Sequence, residues 1–379
     1  MKIAFLCAHL SGTGHLIRIL TLARAARKRE HDVTVISGGR PLDHVDASDL
    51  DLVQLPPLIV RDLDFKSFWT AKGTQADQVY MADRRALLRL AVKGARPDIL
   101  VTELYPFGRR ALAKEFQAGI NAAQRRNPYP QPKIVCSVRD VPEPKPKRAS
   151  EVVQTLWDTF DAVLVHGDQD FLPLSATWPM MTPETIDLHH TGYLAGPMPL
   201  AVAHNPGVLV AVGGGPLGRH LLEVAAQAAG KSKRPWLLLV GGDDAHAVTA
   251  DLTARHGRAN LTVQPARPDY RALMASADCS ISLCGYNTAV ELTQCQTPAI
   301  LVPEEGGGEQ EQLIRARRLA NHPGIRLLRS ADLTPDTLAQ AAEEAATAPR
   351  RASIPLRLDD GARAVTVLEE LHAPAKAAR

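Results

Sequence analysis

Short apolar runs alternate with segments of helical period along most of the chain. This alternation is typical of parallel strands joined by crossover helices, so it predicts an α/β fold. Helices are predicted between the strands, for example at residues 16–28 and 109–124. In the first half of the chain the pattern predicts one doubly wound sheet, with strands at residues 2–8, 32–37, 98–104, 133–138 and 162–166.

A Gly- and Pro-rich passage at residues 190–207 has no convincing period and predicts a linker. The alternation then restarts, and it predicts a second sheet with strands at residues 207–212, 236–240, 261–264, 279–283 and 299–302. We therefore predict an N-terminal domain over residues 1–200 and a C-terminal domain over residues 201–358. An amphipathic helix at about residues 359–373 could pack back on the first domain.

The composition narrows the classes of protein. With 379 residues the chain can form two ordinary domains. Lys plus Arg number 44 and Asp plus Glu 41, and this near balance argues against nucleic acid as the partner. The five cysteines form no Cys-x-x-Cys pair, so neither a disulfide framework nor a zinc site is expected. No run approaches the roughly 18 apolar residues of a membrane span, so we expect a cytoplasmic protein.

A first glycine-rich loop follows the first strand and contains Gly12, Thr13 and Gly14. Its backbone amides could approach a polar ligand, although the third glycine of a dinucleotide-binding fingerprint is missing. His15 follows on the first helical turn, where the positive helix end lowers an imidazole pKa and favours a neutral base. Such a base can take a proton from a hydroxyl. A tight turn with a structural histidine is the alternative.

A second glycine-rich loop, Gly213-Gly214-Gly215, occupies the same position in the second half of the chain. No Lys-Ser or Lys-Thr pair follows it, which excludes a P-loop NTPase. Its amides could hold a diphosphate, and a plain tight turn is the alternative.

The stretch "CGYNTAVEL" raises a question about Glu291. Thr288 and Glu291 have the spacing of a capping box, which predicts a helix that begins at Thr288. Glu291 could instead hold a ligand, because a carboxylate can accept two hydrogen bonds from a vicinal diol.

The segments "GTGHLIRILTLARA", "VAVGGG", "CGYNTAVEL" and "EQLIRARRLA" together resemble the MurG-like family of GT-B glycosyltransferases, which are related to glycosyltransferase family 28. "ELYPFGRRALAKEF" and "IVCSVRDV" also resemble a subgroup of predicted bacterial glycosyltransferases. The resemblance implies two doubly wound, Rossmann-like domains that face a central cleft. It also implies that the C-terminal domain binds a nucleotide-sugar, usually a UDP-sugar, and that the N-terminal domain receives the acceptor.

The resemblance assigns roles residue by residue. His15 falls on the histidine implicated in acceptor activation, and Glu291 falls on the glutamate that binds the ribose hydroxyls. Glu311 and Gln312 fall on the polar pair that contacts the donor sugar, although Glu309-Gln310 could take that register. The other donor-binding residues implied are Gly213, Gly214, Gly215, Gly285, Tyr286, Asn287 and Thr288.

On the acceptor side, several charged residues lie at or just after the ends of predicted strands, where α/β proteins bind ligands. The arginines at positions 109 and 110 could hold an anionic acceptor, and a solvated charged turn is the alternative. The predicted acceptor-side residues are Gly12, Thr13, Gly14, Glu103, Arg109, Arg139 and Asp140.

The segment around Phe65, Phe68 and Trp69 places aromatic side chains among charges. It could form a weak contact with a membrane surface, an acceptor lid or ordinary core.

The leading hypothesis is a glycosyltransferase that moves a sugar from a UDP-sugar to a small-molecule or lipid-linked acceptor. We expect no metal and no cofactor beyond this co-substrate, because glycine-loop amides and helix N-termini can stabilise the departing diphosphate. The Asp-x-Asp pair at residues 62–64 lies in an irregular N-terminal segment, away from the predicted donor domain. A nucleotide-sugar hydrolase, a nucleotide-sugar 2-epimerase and a non-catalytic UDP-sugar-binding module are the alternatives.

Overall fold

The computed structural model describes residues 1–10, 12–41, 45–61, 64–125, 131–181, 184–198, 200, 204–213, 215, 217–306 and 309–373. The chain divides into two compact units. The first comprises Met1–Gly196 and Arg357–Arg379, and the second comprises Pro197–Leu356.

The first unit contains a seven-stranded parallel sheet in the order β3-β2-β1-β4-β5-β6-β7. Its strands are β1 Lys2–Cys7, β2 Asp32–Ser37, β3 Asp51–Gln54, β4 Ile99–Glu103, β5 Lys133–Arg139, β6 Ala162–His166 and β7 Leu188–His190. The helices are α1 Gly14–Lys28, α2 Gln78–Ala95, α3 Ala113–Gln124 and α4 Ala149–Thr159. The central strands are buried along most of their length, because helices cover both faces of a parallel sheet.

The second unit contains a six-stranded parallel sheet in the order β11-β10-β9-β12-β13-β14. Its strands are β9 Val208–Ala211, β10 Trp236–Val240, β11 Leu261–Pro265, β12 Cys279–Ser282, β13 Ala299–Leu301 and β14 Ile325–Leu327. The helices are α5 Arg219–Ala229, α6 Ala245–His256, α7 Tyr270–Ser276, α8 Tyr286–Gln294, α9 Glu311–Leu319 and α10 Pro335–Thr347.

The chain returns to the first unit at its C-terminal end. The short strands β8 Tyr193–Leu194 and β15 Leu358–Asp359 pair there, and α11 Ala362–His372 packs on α1. Gly361 precedes α11 with a φ of +100°, and a Cβ atom at this position would lie 2.8 Å from the Cβ atom of Ala25. Glycine is therefore required both by the backbone conformation and by the close packing of the two helices.

All ten predicted strands are present, and their ends differ from the prediction by at most one residue. The strands β3, β7 and β14 were not predicted, since each is only three or four residues long and carries polar or half-exposed positions. The linker prediction is wrong at its start, because residue 190 ends β7 and residues 193–194 form β8. The helix predicted from residue 109 begins later, since residues 110–112 form a 3-10 turn before α3.

Candidate functional site

The first candidate site lies at the carboxyl edge of the sheet in the first unit. His15 stands on the first turn of α1, which directly follows β1, and Glu103 is the last residue of the neighbouring strand β4. The Nδ1 atom of His15 lies 2.8 Å from the Oε1 atom of Glu103. Because β1 and β4 are adjacent and parallel, residues far apart in the sequence meet at one edge.

Glu103 is buried, and both of its carboxylate oxygens accept hydrogen bonds. Its Oε1 atom also accepts from the Arg18 guanidinium, whose Nε atom lies 3.1 Å away. Its Oε2 atom accepts from the Ser137 hydroxyl at 2.8 Å. Ser137 also lies 3.0 Å from the Nε2 atom of His166, and the Nδ1 atom of His166 lies 2.8 Å from the hydroxyl of Thr191. A continuous buried polar network therefore holds the Glu103 carboxylate in place.

The protonation states of this pair follow from burial and charge. Burial opposes the ionisation of Glu103, but Arg18 and His15 outweigh it and hold the pKa of this carboxyl well below its usual range. The side chain of His15 is 12% exposed, and burial lowers its pKa to about 3. His15 is therefore neutral near pH 7. The main cause is burial rather than the helix end on which the sequence argument relied.

A neutral imidazole beside an ionised carboxylate has one favoured tautomer. The Nδ1 atom of His15 lies 2.8 Å from Glu103, which can only accept, and 3.0 Å from the Arg18 Nη2 atom, which can only donate. Because the carboxylate is the nearer partner and Arg18 also donates to Glu103, we assign the ring proton to Nδ1, where it donates to Glu103. The Nε2 atom of His15 then carries a lone pair that can accept a proton. This is the arrangement of an oriented general base.

The glycine loop before His15 is open at Gly12. Gly12 has a φ of +67°, and a Cβ atom there would meet no atom within 4 Å. Thr13 precedes α1 without capping it through its side chain, and Gly14 is the first helical residue. The first-turn amides of α1 are thus not capped by this side chain, so the loop retains the donors that the sequence analysis predicted.

The remaining residues predicted for the acceptor side lie at the same edge of the sheet. Arg139 is the half-buried last residue of β5, and Asp140 is buried and accepts a hydrogen bond at 3.1 Å from the hydroxyl of Tyr193. Arg109 follows β4 in a loop and is half-buried, whereas Arg110 is exposed. The predicted arginine pair is therefore split, and Arg109 is the member that lies near His15, whose pKa it lowers further.

In the second unit, a glycine loop joins β9 to α5. Gly213 has a φ of +84°, and a Cβ atom there would meet no atom within 4 Å, while Gly214 lies outside the described residues. Gly215 approaches the neighbouring loop, since its carbonyl oxygen lies 3.4 Å from the position of a Cβ atom on Gly242. The loop ends at Gly218, which precedes α5 with a φ of +78°.

Arg219 is a functional candidate that the sequence analysis missed. It is the first residue of α5, and its Nη2 atom donates to the carbonyl of Gly241 at 2.7 Å and to Asp244. Its Nη1 atom is buried and has no hydrogen-bond partner among the described residues. A basic residue directly after a glycine-rich loop was the signal in the sequence that could have identified it.

Glu291 lies within α8, not at its start. The helix begins at Tyr286 and follows Gly285, so Thr288 is its third residue and Glu291 its sixth. The capping-box interpretation is therefore wrong. The side chain of Glu291 is 23% exposed, and burial raises its pKa to about 7, although the Nε atom of Arg271 lies 3.9 Å away and opposes this rise.

The other predicted residues of this helix differ in exposure. Tyr286 is buried, whereas Asn287 and Thr288 are half-buried. A Cβ atom on Gly285 would meet no atom within 4 Å, so the start of α8 is open.

Helix α9 fixes the loop before α8. Gln312 is buried, and its Oε1 atom accepts from the backbone amides of Cys284 at 3.0 Å and Glu304 at 3.2 Å. Arg315 is fully buried and donates to the carbonyl of Cys284 at 2.7 Å. Gln312 and Arg315 therefore hold both backbone polar groups of Cys284.

The two residue pairs considered for the donor sugar lie together at the start of α9. Glu311 is the buried first residue of the helix, and its Oε1 atom lies 3.7 Å from Arg315. The carboxylate of Glu309 accepts from the backbone amide of Gln312 at 3.2 Å and from its side-chain amide at 3.3 Å. Which pair contacts a sugar stays a prediction.

The three aromatic side chains of the segment around residues 65–69 differ in exposure. Phe68 is buried in the core of the first unit, and Trp69 is half-buried under the Arg61 guanidinium, 3.8 Å from the ring centroid. Phe65 is 41% exposed. In the described part of the chain, no helix is both long and apolar enough to cross a membrane. Residues 62 and 63 of the Asp-x-Asp pair at residues 62–64 lie outside the described residues.

A family model matches most of the second half of the chain. Residues 208–355 match the glycosyltransferase family 28 C-terminal domain. A UDP-N-acetylglucosamine--N-acetylmuramyl-(pentapeptide) pyrophosphoryl-undecaprenol N-acetylglucosamine transferase of Anaeromyxobacter sp. (strain Fw109-5) is 30% identical over 184 residues, covering 40% of this chain and 48% of that protein. The transferase of the same name from Syntrophotalea carbinolica is 32% identical over 132 residues, covering 33% of this chain and 37% of that protein. The chain thus spans about half the length, or less, of these relatives.

Solved structures extend the likeness to the whole chain. MurG of Acinetobacter baumannii aligns with a TM-score of 0.56 and 18% identity, covering 98% of this chain and all of that one. Spinosyn forosaminyltransferase SpnP aligns with a TM-score of 0.63 and 15% identity, covering 99% of this chain and all of that one. The chain therefore has the GT-B fold with two Rossmann-like sheets, and the resemblance to MurG-like proteins is confirmed.

Proposed function

We propose that this chain, whose residues 208–355 form a glycosyltransferase family 28 C-terminal domain, transfers a sugar from a nucleotide-sugar to an acceptor hydroxyl or amine. A UDP-sugar is the proposed donor, since the named relatives are UDP-N-acetylglucosamine-dependent transferases. The observation that carries the proposal is the pair formed by His15 and Glu103, at 2.8 Å, beside an open glycine loop.

In the proposed reaction, the Nε2 atom of His15 takes the proton of the acceptor hydroxyl as its oxygen attacks the anomeric carbon of the donor. The bond between that carbon and the diphosphate oxygen breaks, and the nucleoside diphosphate leaves with the electron pair. Glu103 stabilises the imidazolium that forms and keeps the ring oriented. Arg18 and Ser137 act as positioning residues, because they hold Glu103.

The donor is proposed to bind in the second unit. Glu291 would accept hydrogen bonds from the two ribose hydroxyls, and the amides of the loop at residues 213–215 would face the diphosphate. The unsatisfied Nη1 atom of Arg219 supports a negative group at the start of α5, where the charge on the leaving diphosphate develops. Together these donors could stabilise the leaving group without a metal ion.

Gln312 has a different proposed role from the one that the resemblance implied. Its carbonyl oxygen already accepts two backbone hydrogen bonds, and its amide donates to Glu309. We therefore assign it as a positioning residue for the loop before α8, and leave direct contact with the sugar to Glu311.

The test is UDP release from a panel of UDP-sugars, with and without a cell extract that supplies acceptors. The proposal predicts release that depends on the extract. UDP release at the same rate without extract would indicate a nucleotide-sugar hydrolase, in which His15 activates water. Binding of UDP-sugars without turnover in either condition would indicate a binding module.

A further inference from the structure

The loop after β4 presents Arg109 at the edge of the sheet where His15 lies. Both ends of this loop have left-handed backbone conformations that non-glycine residues rarely adopt, with a φ of +69° at Leu104 and +61° at Arg109. The Gly108 amide donates to the Leu104 carbonyl at 2.9 Å and closes the loop. Strained non-glycine residues persist where the surrounding structure holds them, and they cluster at functional sites.

Two aromatic side chains hold the loop in this conformation. Tyr105 stacks on Phe116 with ring centroids 4.8 Å apart, and Phe107 packs edge-on against Trp178 at 5.1 Å. These contacts lie in two separate apolar clusters of the first unit. Tyr105 and Phe107 thus anchor the loop in two different apolar clusters, and this holds the backbone that leads to Arg109.

The Arg109 guanidinium has no counter-charge of its own. It is half-buried and makes no hydrogen bond or ion pair with any described residue. The nearby Glu103 carboxylate forms its ion pair with Arg18 and makes no hydrogen bond to Arg109 among the described residues.

The charge of Arg109 affects the pKa values of neighbouring side chains at this edge of the sheet. Burial is the main cause of the lowered pKa values of His9 and His15, and the Arg109 guanidinium lowers both further. Burial and the neighbouring Arg139 also lower the pKa of Arg109 itself, to about 10. The Arg109 charge therefore disfavours a second positive charge on either histidine.

A partly desolvated cation without a partner is costly unless a ligand supplies the opposite charge. The planar guanidinium fork matches the two oxygens of a carboxylate or phosphate, and such charge-assisted pairs are among the stronger hydrogen bonds in proteins. We propose that Arg109 binds a carboxylate or phosphate group of the acceptor, so that the substrate class is an anionic acceptor whose reacting hydroxyl or amine lies at His15. This inference rests on the proposed function, because it treats the edge of the sheet at His15 as the acceptor site.

The test uses phenyl phosphate and benzoate as separate probes in calorimetric titrations of the full chain with saturating UDP. UDP occupies the proposed donor site, so that a phosphate probe cannot report on the glycine loop at residues 213–215. Arg109→Asn removes the guanidinium, and asparagine tolerates the left-handed backbone better than most residues. Arg110→Asn is the matched control, since its exposed side chain is the next along the chain.

We expect the wild-type protein and Arg110→Asn to bind one equivalent of at least one probe with similar affinity. Arg109→Asn should bind the same probe at least about tenfold more weakly, as expected for loss of a charged hydrogen-bond donor. Binding of phenyl phosphate alone would indicate a phosphate-bearing acceptor, and binding of benzoate alone a carboxylate.

The inference is overturned if the wild-type protein binds neither probe, or if Arg109→Asn binds as the wild type does. Unchanged UDP affinity in Arg109→Asn establishes that the variant is folded. If UDP does not bind to the wild-type protein, the proposed function fails instead. The comparison of the two variants without UDP then still decides whether Arg109 forms an anion site.

Discussion

The Nδ1 atom of His15 lies 2.8 Å from the Oε1 atom of Glu103, the last residue of a buried strand. Glu103 is ionised and His15 is neutral, because burial and the neighbouring charges move their pKa values in those directions. This pair links the fold to the proposed chemistry, since the order of strands β1 and β4 is what brings the two residues together.

Glu103→Gln should lower kcat for UDP release by roughly 10²- to 10⁴-fold, because a glutamine amide no longer fixes the ring proton on Nδ1 of His15. The KM for the donor should change little. Steady-state kinetics check this, and Glu151→Gln is the control because this carboxylate on α4 is 56% exposed. Equal kcat for Glu103→Gln and wild type would contradict the role of Glu103. Thermal unfolding must accompany the assay, since Arg18 loses its counter-charge.

The pH dependence of kcat should lack the break near pH 6.5 that an ordinary histidine base gives. The pKa of His15 is lowered to about 3, so the imidazole stays neutral, and able to accept a proton, at all pH values above that. At saturating donor and acceptor, kcat should therefore be flat from pH 5 to pH 7. A fall in kcat with a midpoint near 6.5 would show that His15 titrates normally or is not the base.

Donor affinity should instead depend on pH through Glu291. Its pKa is raised to about 7, so the carboxylate is fully formed only above that pH, and UDP binding should weaken as the pH falls through about 7. Glu291→Gln should bind UDP about tenfold more weakly at pH 8 and show no such pH dependence. Titration calorimetry at several pH values checks both. Wild-type affinity at pH 8 in the glutamine variant would refute the ribose assignment.

The same substitution should stabilise the protein without ligand. A raised carboxyl pKa means that the folded state keeps its proton to higher pH than the unfolded state, so burial of Glu291 costs stability above about pH 7 and none below about 4.5. Glu291→Gln should raise the free energy of unfolding by about 1 to 3 kcal/mol at pH 8 and leave it unchanged at pH 4. Denaturant unfolding measures this, with Glu344→Gln as the exposed control.

Arg315→Met should destabilise the protein by about 3 to 5 kcal/mol, since it leaves the Cys284 carbonyl without this donor and removes the cation beside buried Glu311. UDP affinity should also fall, because the loop before α8 loses its support. Arg317→Met is the matched control, as this arginine lies on the same helix and is exposed. Equal unfolding midpoints for the two variants would contradict the positioning role.

EDTA should leave UDP release unchanged, because the loop amides and Arg219 are proposed to stabilise the departing diphosphate. Loss of turnover in EDTA that Mg²⁺ or Mn²⁺ restores would contradict metal independence. Arg219→Gln should lower kcat about tenfold or more in the presence of EDTA. This variant tests whether Arg219 stabilises the diphosphate in place of a divalent metal ion.

The pattern of apolar and polar residues predicted the long strands well but not the short ones. A central parallel strand such as β1 is an apolar run, whereas β7 is the tripeptide Leu-His-His, which has no strand signal of its own. Its place in the sheet depends on pairing with β6, a long-range contact that local sequence does not encode. The same is true of β8, whose partner lies more than 160 residues away.

The sequence placed candidate site residues after strands but did not predict the contacts between them. His15 and Glu103 were both identified from their places after strands, but their hydrogen bond depends on strand order, which periodicity does not give. The capping-box interpretation failed because the Gly-Tyr-Asn sequence allows α8 to begin two residues before Thr288. The support that Gln312 gives to Cys284 depends on how α9 packs and has no signature in the sequence.

The central claim is that His15 is the base of a nucleotide-sugar-dependent transferase. The most direct measurement compares UDP release by wild type and His15→Ala in the acceptor-supplemented assay, with UDP affinity measured on the same preparations and His372→Ala as the exposed control. The account predicts that His15→Ala binds UDP as the wild type does and loses at least about 10²-fold in turnover. Turnover at the wild-type rate in His15→Ala would contradict it.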